Sequence, residues 1–164
     1  MDSTLEFLAF AAVNNLKAAG LTVATAESCT GGLIAAALTG VPGASSAFRY
    51  GWVTYCNEAK ERELNVPAAL IDEHTVVSEP VVAAMAESAM RKAGADCAVA
   101  VSGNAGPTAA EGEPPVGTVC IALARRGAAR SHTETLYRPG MDRNAFRTMV
   151  AARALELIAG AAKG

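Results

Sequence analysis

A chain of 164 residues with a formal net charge of −2 can bury a core of its own and is read as one domain, residues 1–164. Its 14 Lys and Arg stand against 16 Asp and Glu, and no basic run exceeds a pair, which excludes the electropositive stripe that nucleic-acid binding uses. No apolar run approaches the ~20 residues that span a bilayer, and the first residues lack the basic start and apolar core of a leader, so a cytoplasmic protein with no membrane or nucleic-acid partner is expected.

Ser3-Thr4-Leu5-Glu6 has the form of a capping box, in which Ser3 satisfies a free N–H of the first turn and Glu6 reaches back. Leu5, Leu8, Ala12, Leu16 and Ala19 then share a helical face, and Gly20 suits the left-handed position beyond the helix end. LTVAT, residues 21–25, reads as a short strand. ATAESCTGGLIAAAL, residues 24–38, carries the chain out of that strand, past hydroxyl and thiol side chains and two glycines, into a small-residue helix. That helix stops at Gly40-Val41-Pro42-Gly43.

FRYGWVTY, residues 48–55, is aromatic and β-branched and predicts a strand. Asn57 is placed to cap a short helix running to Leu64, which Pro67 ends. Ser78-Glu79-Pro80 opens the next helix with a hydroxyl, an acid and a proline. Val82, Met85, Ala86, Ala89 and Ala93 share its face, and Gly94 closes it. CAVAVSG, 97–103, is a strand buried on both faces, and GTVCIALA, 117–124, is a second central strand. Between them lies a loop rich in Gly, Pro, Ala and Glu. SHTETLY, 131–137, alternates as an edge strand, and a last helix begins near Asp142 with Phe146, Met149, Val150, Ala154, Leu157 and Ile158 inward. This order predicts an α/β protein, a three-layer α/β/α fold with a mixed central sheet.

Residues 24–38 are the first candidate site. A strand feeding a helix through glycines aims backbone N–H groups beyond the strand end, where they favour anions or an oxyanion. The pattern is neither a Walker A loop nor a G-x-G-x-x-G turn, and a tight turn that lets helix and sheet approach explains the glycines equally well. Ser28 needs a base to act as a nucleophile. His74 in a polar loop and His132 in an edge strand are poorly placed for that role. Lys60, in the first turn of the 57–64 helix, sits where the helix dipole disfavours an ammonium. Glu58, Glu61 and Glu63 nearby could hold it charged, and a solvated surface lysine is the commoner case.

Cys29 is a rival nucleophile if the helix N-terminus lowers its pKa, and otherwise a small buried hydrophobe. Cys56, Cys97 and Cys120 read as core residues beside strands, and the scattered cysteines fit reduced thiols rather than a disulfide framework or zinc ribbon. Arg143 and Arg147 share a face near a helix N-terminus, where cations oppose the dipole; an anionic ligand or pairing with nearby acids would account for them. Ser102-Gly103-Asn104-Ala105-Gly106-Pro107 follows a buried strand, the usual place for a ligand loop in an α/β sheet.

TAESCTGG (25–32), VTYCNEAK (53–60), VSEPVV (77–82), VSGNAGP (101–107) and PVGTV (115–119) together resemble the CinA C-terminal domain family, which includes stand-alone nicotinamide mononucleotide deamidases. The resemblance spans nearly the whole chain, in the family's order. It implies hydrolysis of the amide of nicotinamide mononucleotide to the acid nucleotide and ammonia, with no metal and no cofactor. It also implies that Ser28 is the nucleophile, Lys60 its base, Tyr55 their neighbour, and Arg143 a ligand contact. On that scheme N–H groups near Thr30, Gly31 and Gly32 are the candidate oxyanion donors, and Ser102, Gly103, Ala105 and Gly106 belong to the substrate loop. A homo-oligomer, dimer or higher, is expected from the family and from the apolar, alanine-rich helices. Longer family members carry an additional N-terminal domain. Asn104, Ala109-Ala110 and Met141 depart from the family pattern; they bear on the loop's shape and substrate affinity and leave Ser28 and Lys60 untouched. The alternatives are a non-catalytic nucleotide-binding module and a competence- or damage-related interaction module.

Overall fold

Ala98-Val99-Ala100-Val101 alternates methyl with branched side chains, and in a strand the two sets point to opposite sides of the sheet. That alternation builds the layers. The computed structural model describes residues 2–162, and in chain order it runs α1 (Ser3–Ala19), β1 (Val23–Glu27), α2 (Leu33–Thr39), a short 3-10 turn, β2 (Phe48–Val53), α3 (Asn57–Leu64), α4 (Ala68–His74), α5 (Glu79–Ala93), β3 (Cys97–Gly103), β4 (Thr118–Arg125), β5 (His132–Tyr137) and α6 (Arg143–Ala161). The strands form one five-stranded sheet in the order β2-β1-β3-β4-β5. The β2, β1 and β3 strands are parallel, whereas β4 and β5 are antiparallel additions. The fold is therefore α/β with a mixed sheet.

Val99, Val101, Val119 and Ile121 face a core shared with α1, α2 and α6, where Leu5, Leu16, Phe146 and Ile158 are buried. Ala24, Ala26, Ala98, Ala100 and Ala122 face the other side, where α5 lays Val82, Met85, Ala86 and Ala89 against them. Methyl side chains on the sheet let α5 approach closely, so both sheet faces are filled at native density.

Several boundaries differ from the sequence reading, each for a local reason. Asp2, not Ser3, caps α1: its Oδ1 accepts from the N–H groups of Thr4 (2.9 Å) and Leu5 (3.4 Å). Ala19 is exposed, and Ala9 and Val13 complete the buried stripe. The β1 strand reaches Glu27 because its ladder continues along both neighbours. Asn57 is the first residue of α3 rather than its cap, which is Cys56. Pro67 starts α4 instead of merely ending a segment, so His74 lies in the last turn of a helix rather than in a loop. Among the described residues no helix is long and apolar enough to cross a membrane.

The parallel register sets up everything that follows. Glu27 is level with Val53 on one side and Val101 on the other, so the chain leaves all three strands on the same edge of the sheet. Ser28 and Thr54-Tyr55 begin two departing segments, and Ser102-Gly103 forms the last two residues of β3, at the carboxyl ends where an α/β sheet offers a crevice.

Candidate active site

The segment after β1 is held by its own side chains. Glu27 is fully buried at the N-terminus of α2. Its Oε2 accepts from Thr30 Oγ1 (2.7 Å), Gly32 N–H (3.0 Å) and Ile34 N–H (3.1 Å), and its Oε1 from Ala35 N–H (2.8 Å). One carboxylate thus satisfies donors that the first turn of a helix leaves over, at the positive end of its dipole. Gly32 enters the helix at φ 96°, which a β-carbon would make strained. From α6, Arg147 donates to the carbonyls of Cys29 (3.0 Å) and Thr30 (2.9 Å). The turn is closed from both sides, and Ser28 stands at its head with 8% of its surface exposed.

Lys60 arrives from the first turn of α3. It is 1% exposed, and its Nζ donates to Thr54 O at 2.8 Å and lies 3.1 Å from Ser28 Oγ. Burial pushes the Lys60 ammonium down to about 8, and the Glu113 carboxylate opposes that shift more weakly. The glutamates that could have held it charged are elsewhere: Glu58 is exposed and Glu63 pairs with Arg62 at 2.9 Å. Ser28 and Lys60 therefore form a buried hydroxyl–amine pair, the arrangement in which an uncharged amine can accept the serine proton.

The pair opens onto a cavity of about 400 Å³. Tyr55, Ser102, Gly103, Ala105, Gly106 and Arg143 also line it. Arg143 donates to Tyr55 Oη at 2.9 Å and to Gly106 O, and among the described residues it has no carboxylate partner. Ser102 spends its hydroxyl on Val76 O at 2.8 Å. Gly103 is needed for space, since a β-carbon there would meet Val119 at 2.9 Å and Cys29 Sγ at 3.1 Å.

Thr30, Gly31 and Gly32 lie behind the cavity wall. The Gly31 N–H bonds Ser28 O at 3.0 Å and the Gly32 N–H is held by Glu27, so neither is available to an oxyanion. The N–H groups of Cys29 and Thr30 donate to no other residue among those described. Cys29 is not a rival thiolate: it is 5% exposed and burial pushes its thiol up to about 12. Cys97 and Cys120 are core residues, but Cys56 is exposed. His74 and His132 do not reach the cavity; His132 is 3.5 Å from Glu134 at the far edge of the sheet. Among the described residues no group of three or more His, Cys, Asp or Glu is gathered as a metal site would require.

Asn104, one of the departures, braces the loop that joins β3 to β4 by donating to Pro114 O (3.2 Å) and accepting from Gly106 N–H (3.3 Å). Ala110 lines the cavity and Met141 is exposed. Sequence reasoning gives no role to Glu27 or Glu113 and leaves Arg147 between an anionic ligand and nearby acids, whereas it donates to backbone carbonyls. The signal for Glu27 was present: an acid just ahead of a helix start, within reach of its free N–H groups.

Residues 5–162 match the CinA C-terminal domain. A CinA-like protein from Akkermansia muciniphila is 54% identical over 145 residues, covering 88% of this chain and 34% of that protein. One from Geobacter sulfurreducens is 51% identical over 137 residues, covering 84% and 32%. The chain thus spans about a third of the length of these curated relatives. Among solved structures, a competence-damaged protein (CinA) superfamily protein from Klebsiella pneumoniae superposes with a TM-score of 0.91 at 34% identity, covering 97% of this chain and 98% of that one. The competence/damage inducible protein CihA from Agrobacterium tumefaciens gives 0.91 at 36% identity, covering 96% and 95%.

Proposed function

The chain belongs to the CinA C-terminal domain family, and from that premise and its buried serine–lysine pair we propose that it is an amidohydrolase that converts nicotinamide mononucleotide to nicotinate mononucleotide and ammonia. The observation that carries this reading is the 3.1 Å approach of Lys60 Nζ to Ser28 Oγ, with the amine nine-tenths and more removed from water. At pH 7 an ordinary lysine is neutral in only about one molecule in a few thousand, whereas one that titrates at about 8 is neutral in about a tenth, enough to serve as a base.

In the proposed reaction neutral Lys60 takes the Ser28 proton as Oγ bonds to the carboxamide carbon. The carbonyl oxygen becomes an oxyanion, for which the N–H of Cys29, a residue that lines the cavity, is the available donor. Collapse breaks the C–N bond, and the Lys60 ammonium gives its proton to the departing nitrogen, releasing ammonia and leaving an ester on Ser28. Lys60 then takes a proton from water as its oxygen bonds to the ester carbon; the C–Oγ bond breaks, the Lys60 ammonium returns the proton to Ser28 Oγ, and the nicotinate nucleotide leaves. Arg143 holds the nucleotide phosphate and Tyr55 positions that guanidinium. Substrate binding also favours the reaction electrically, because the pyridinium charge repels an ammonium at Lys60.

We place the protein in the cytoplasm as a homo-oligomer. An edge strand with exposed Tyr50 and Val53 and a helix with exposed Phe7 and Phe10 are surfaces a second copy could cover. The test of function is ammonia release from nicotinamide mononucleotide by the purified protein. Stoichiometric binding without release would instead favour the nucleotide-binding module, and neither binding nor release would favour an interaction protein.

A further inference from the structure

We infer that Glu113 selects a positively charged ring in this cavity, so that the oxidised pyridinium nucleotide is preferred to its reduced, uncharged form. The inference rests on the amidase reading of the same site and adds what the site discriminates against.

Glu113 lies in the segment joining β3 to β4 and lines the cavity with Ser28, Lys60 and Arg143. Its carboxylate is oriented from behind: Oε1 accepts from Val76 N–H at 3.2 Å and Oε2 from Val77 N–H at 3.4 Å. Those are its side-chain hydrogen bonds among the described residues. Among the described residues no Lys, Arg or His forms an ion pair with it within 4.0 Å, whereas Glu134 is paired with Arg153 at 2.7 Å. Lys60 does not neutralise it by a direct contact, since the Lys60 bonds go to Thr54 and Ser28, yet Lys60 feels the Glu113 charge. A half-buried carboxylate held by two long N–H contacts and facing a cavity is under-compensated, and a ligand cation would relieve it.

The second charged group sharpens the point. Arg143, at the exposed side of the cavity with Tyr55 and Gly106, lacks an anion among the described residues just as Glu113 lacks a cation. The cavity is dipolar, negative near the reacting pair and positive at its mouth. A zwitterion fits that layout if its cation sits next to the scissile group and its anion lies several bonds away. In nicotinamide mononucleotide the ring that bears the amide also bears the charge, and the phosphate is at the far end of the ribose. Reduction of the ring removes the cation and leaves the amide, sugar and phosphate in place.

The experiment uses the full chain carrying Ser28→Ala, which prevents turnover, and measures binding of nicotinamide mononucleotide and of its 1,4-dihydro form by calorimetry at pH 8. We expect the oxidised form to bind about tenfold more tightly, and Glu113→Gln added to Ser28→Ala to weaken the oxidised form about tenfold while moving the reduced form less than about twofold. Equal affinity of the Ser28→Ala protein for both forms overturns the inference, whether or not the double variant folds. Equal weakening of both forms also overturns it, reducing Glu113 to a loop tether or a contact to the sugar. Ammonia release is measured on the wild type alongside: discrimination without release removes the amidase reading and keeps the charge selection, and release without discrimination does the reverse.

Discussion

The inner wall of the cavity and its outer rim treat charge in opposite ways. Behind Ser28, Glu27 makes four hydrogen bonds and Arg147 two, all to groups of the same turn and helix. On the ligand-facing rim, Glu113 beside the reacting pair and Arg143 at the mouth reach only a phenol and backbone groups, and neither has an ion-pair partner among the described residues. The wall is fixed before a ligand arrives, as preorganised catalysis requires. The rim is left electrically incomplete, and a ligand completes it. Substitutions in the wall should therefore lower kcat or stability, and those at the rim should raise KM.

Ser28→Ala is the largest effect on the wall side. It removes the bond-forming atom and should lower kcat by ~10³-fold or more with KM little changed, read by ammonia release under saturating substrate. Near-normal turnover would mean that water attacks directly. Lys60→Met should be almost as damaging to turnover and opposite in its effect on the fold. Folded Lys60 titrates at about 8, below its ordinary 10.5, so the unfolded chain binds more protons between those values. Lys60 thus lowers stability fully below pH ~8, and the penalty fades as pH rises toward 10.5. A methionine in its place carries no such penalty, so denaturant unfolding of the Lys60→Met protein at pH 7 should show a gain of about 1–2 kcal/mol after the lost contacts to Thr54 and Ser28 are counted, shrinking at alkaline pH. In the wild type kcat/KM should climb about tenfold per pH unit below ~8 and level off above it. A flat profile between pH 6 and 9 would remove Lys60 as the base.

Glu27→Gln tests the wall without touching the reacting atoms. Whichever oxygen becomes an amide nitrogen, one N–H donor at the start of α2 then faces another donor, a cost of about 1–3 kcal/mol. The turn that aims Ser28 should loosen, and kcat should drop ~10-fold or more while KM stays near its original value. An unchanged kcat in a protein of lowered stability would leave Glu27 a purely structural cap.

Much of this wall was legible in the sequence, and for a definite reason. ESCTGG has to turn from a strand into a helix in few residues, so its glycines and polar side chains are dictated locally. The same holds for α5 and β3, whose periodicities match their environments. What stayed hidden depends on long-range placement. The first-turn position of Lys60 argues against a charged amine and the family resemblance implies a base, but NEAKEREL alone does not show its burial, which comes from β2 delivering α3 over Ser28. Arg143 and Arg147 look equivalent at four-residue spacing, yet one turn of helix sends the first to the cavity and the second to the carbonyls of Cys29 and Thr30. Glu113 sits in a segment without periodicity, so only the folded chain shows that Val76 and Val77 orient it.

Arg143→Ala is the smallest expected change and the cleanest contrast with the wall. Its guanidinium is exposed, so solvent screens whatever anion it meets, and its internal contacts are to Tyr55 and Gly106 rather than to Ser28 or Lys60. Removing it should raise KM for nicotinamide mononucleotide about five- to tenfold with kcat within about twofold, and the loss should diminish as ionic strength is raised, since the attraction being lost is already screened there. Arg143→Lys in parallel should recover part of the affinity, because it keeps the charge but not the two-pronged geometry that also braces Tyr55. A variant that instead lost kcat at constant KM would show that the rim, like the wall, acts on the reacting atoms, and the division between the two regions would fail at the residue where it predicts the clearest separation.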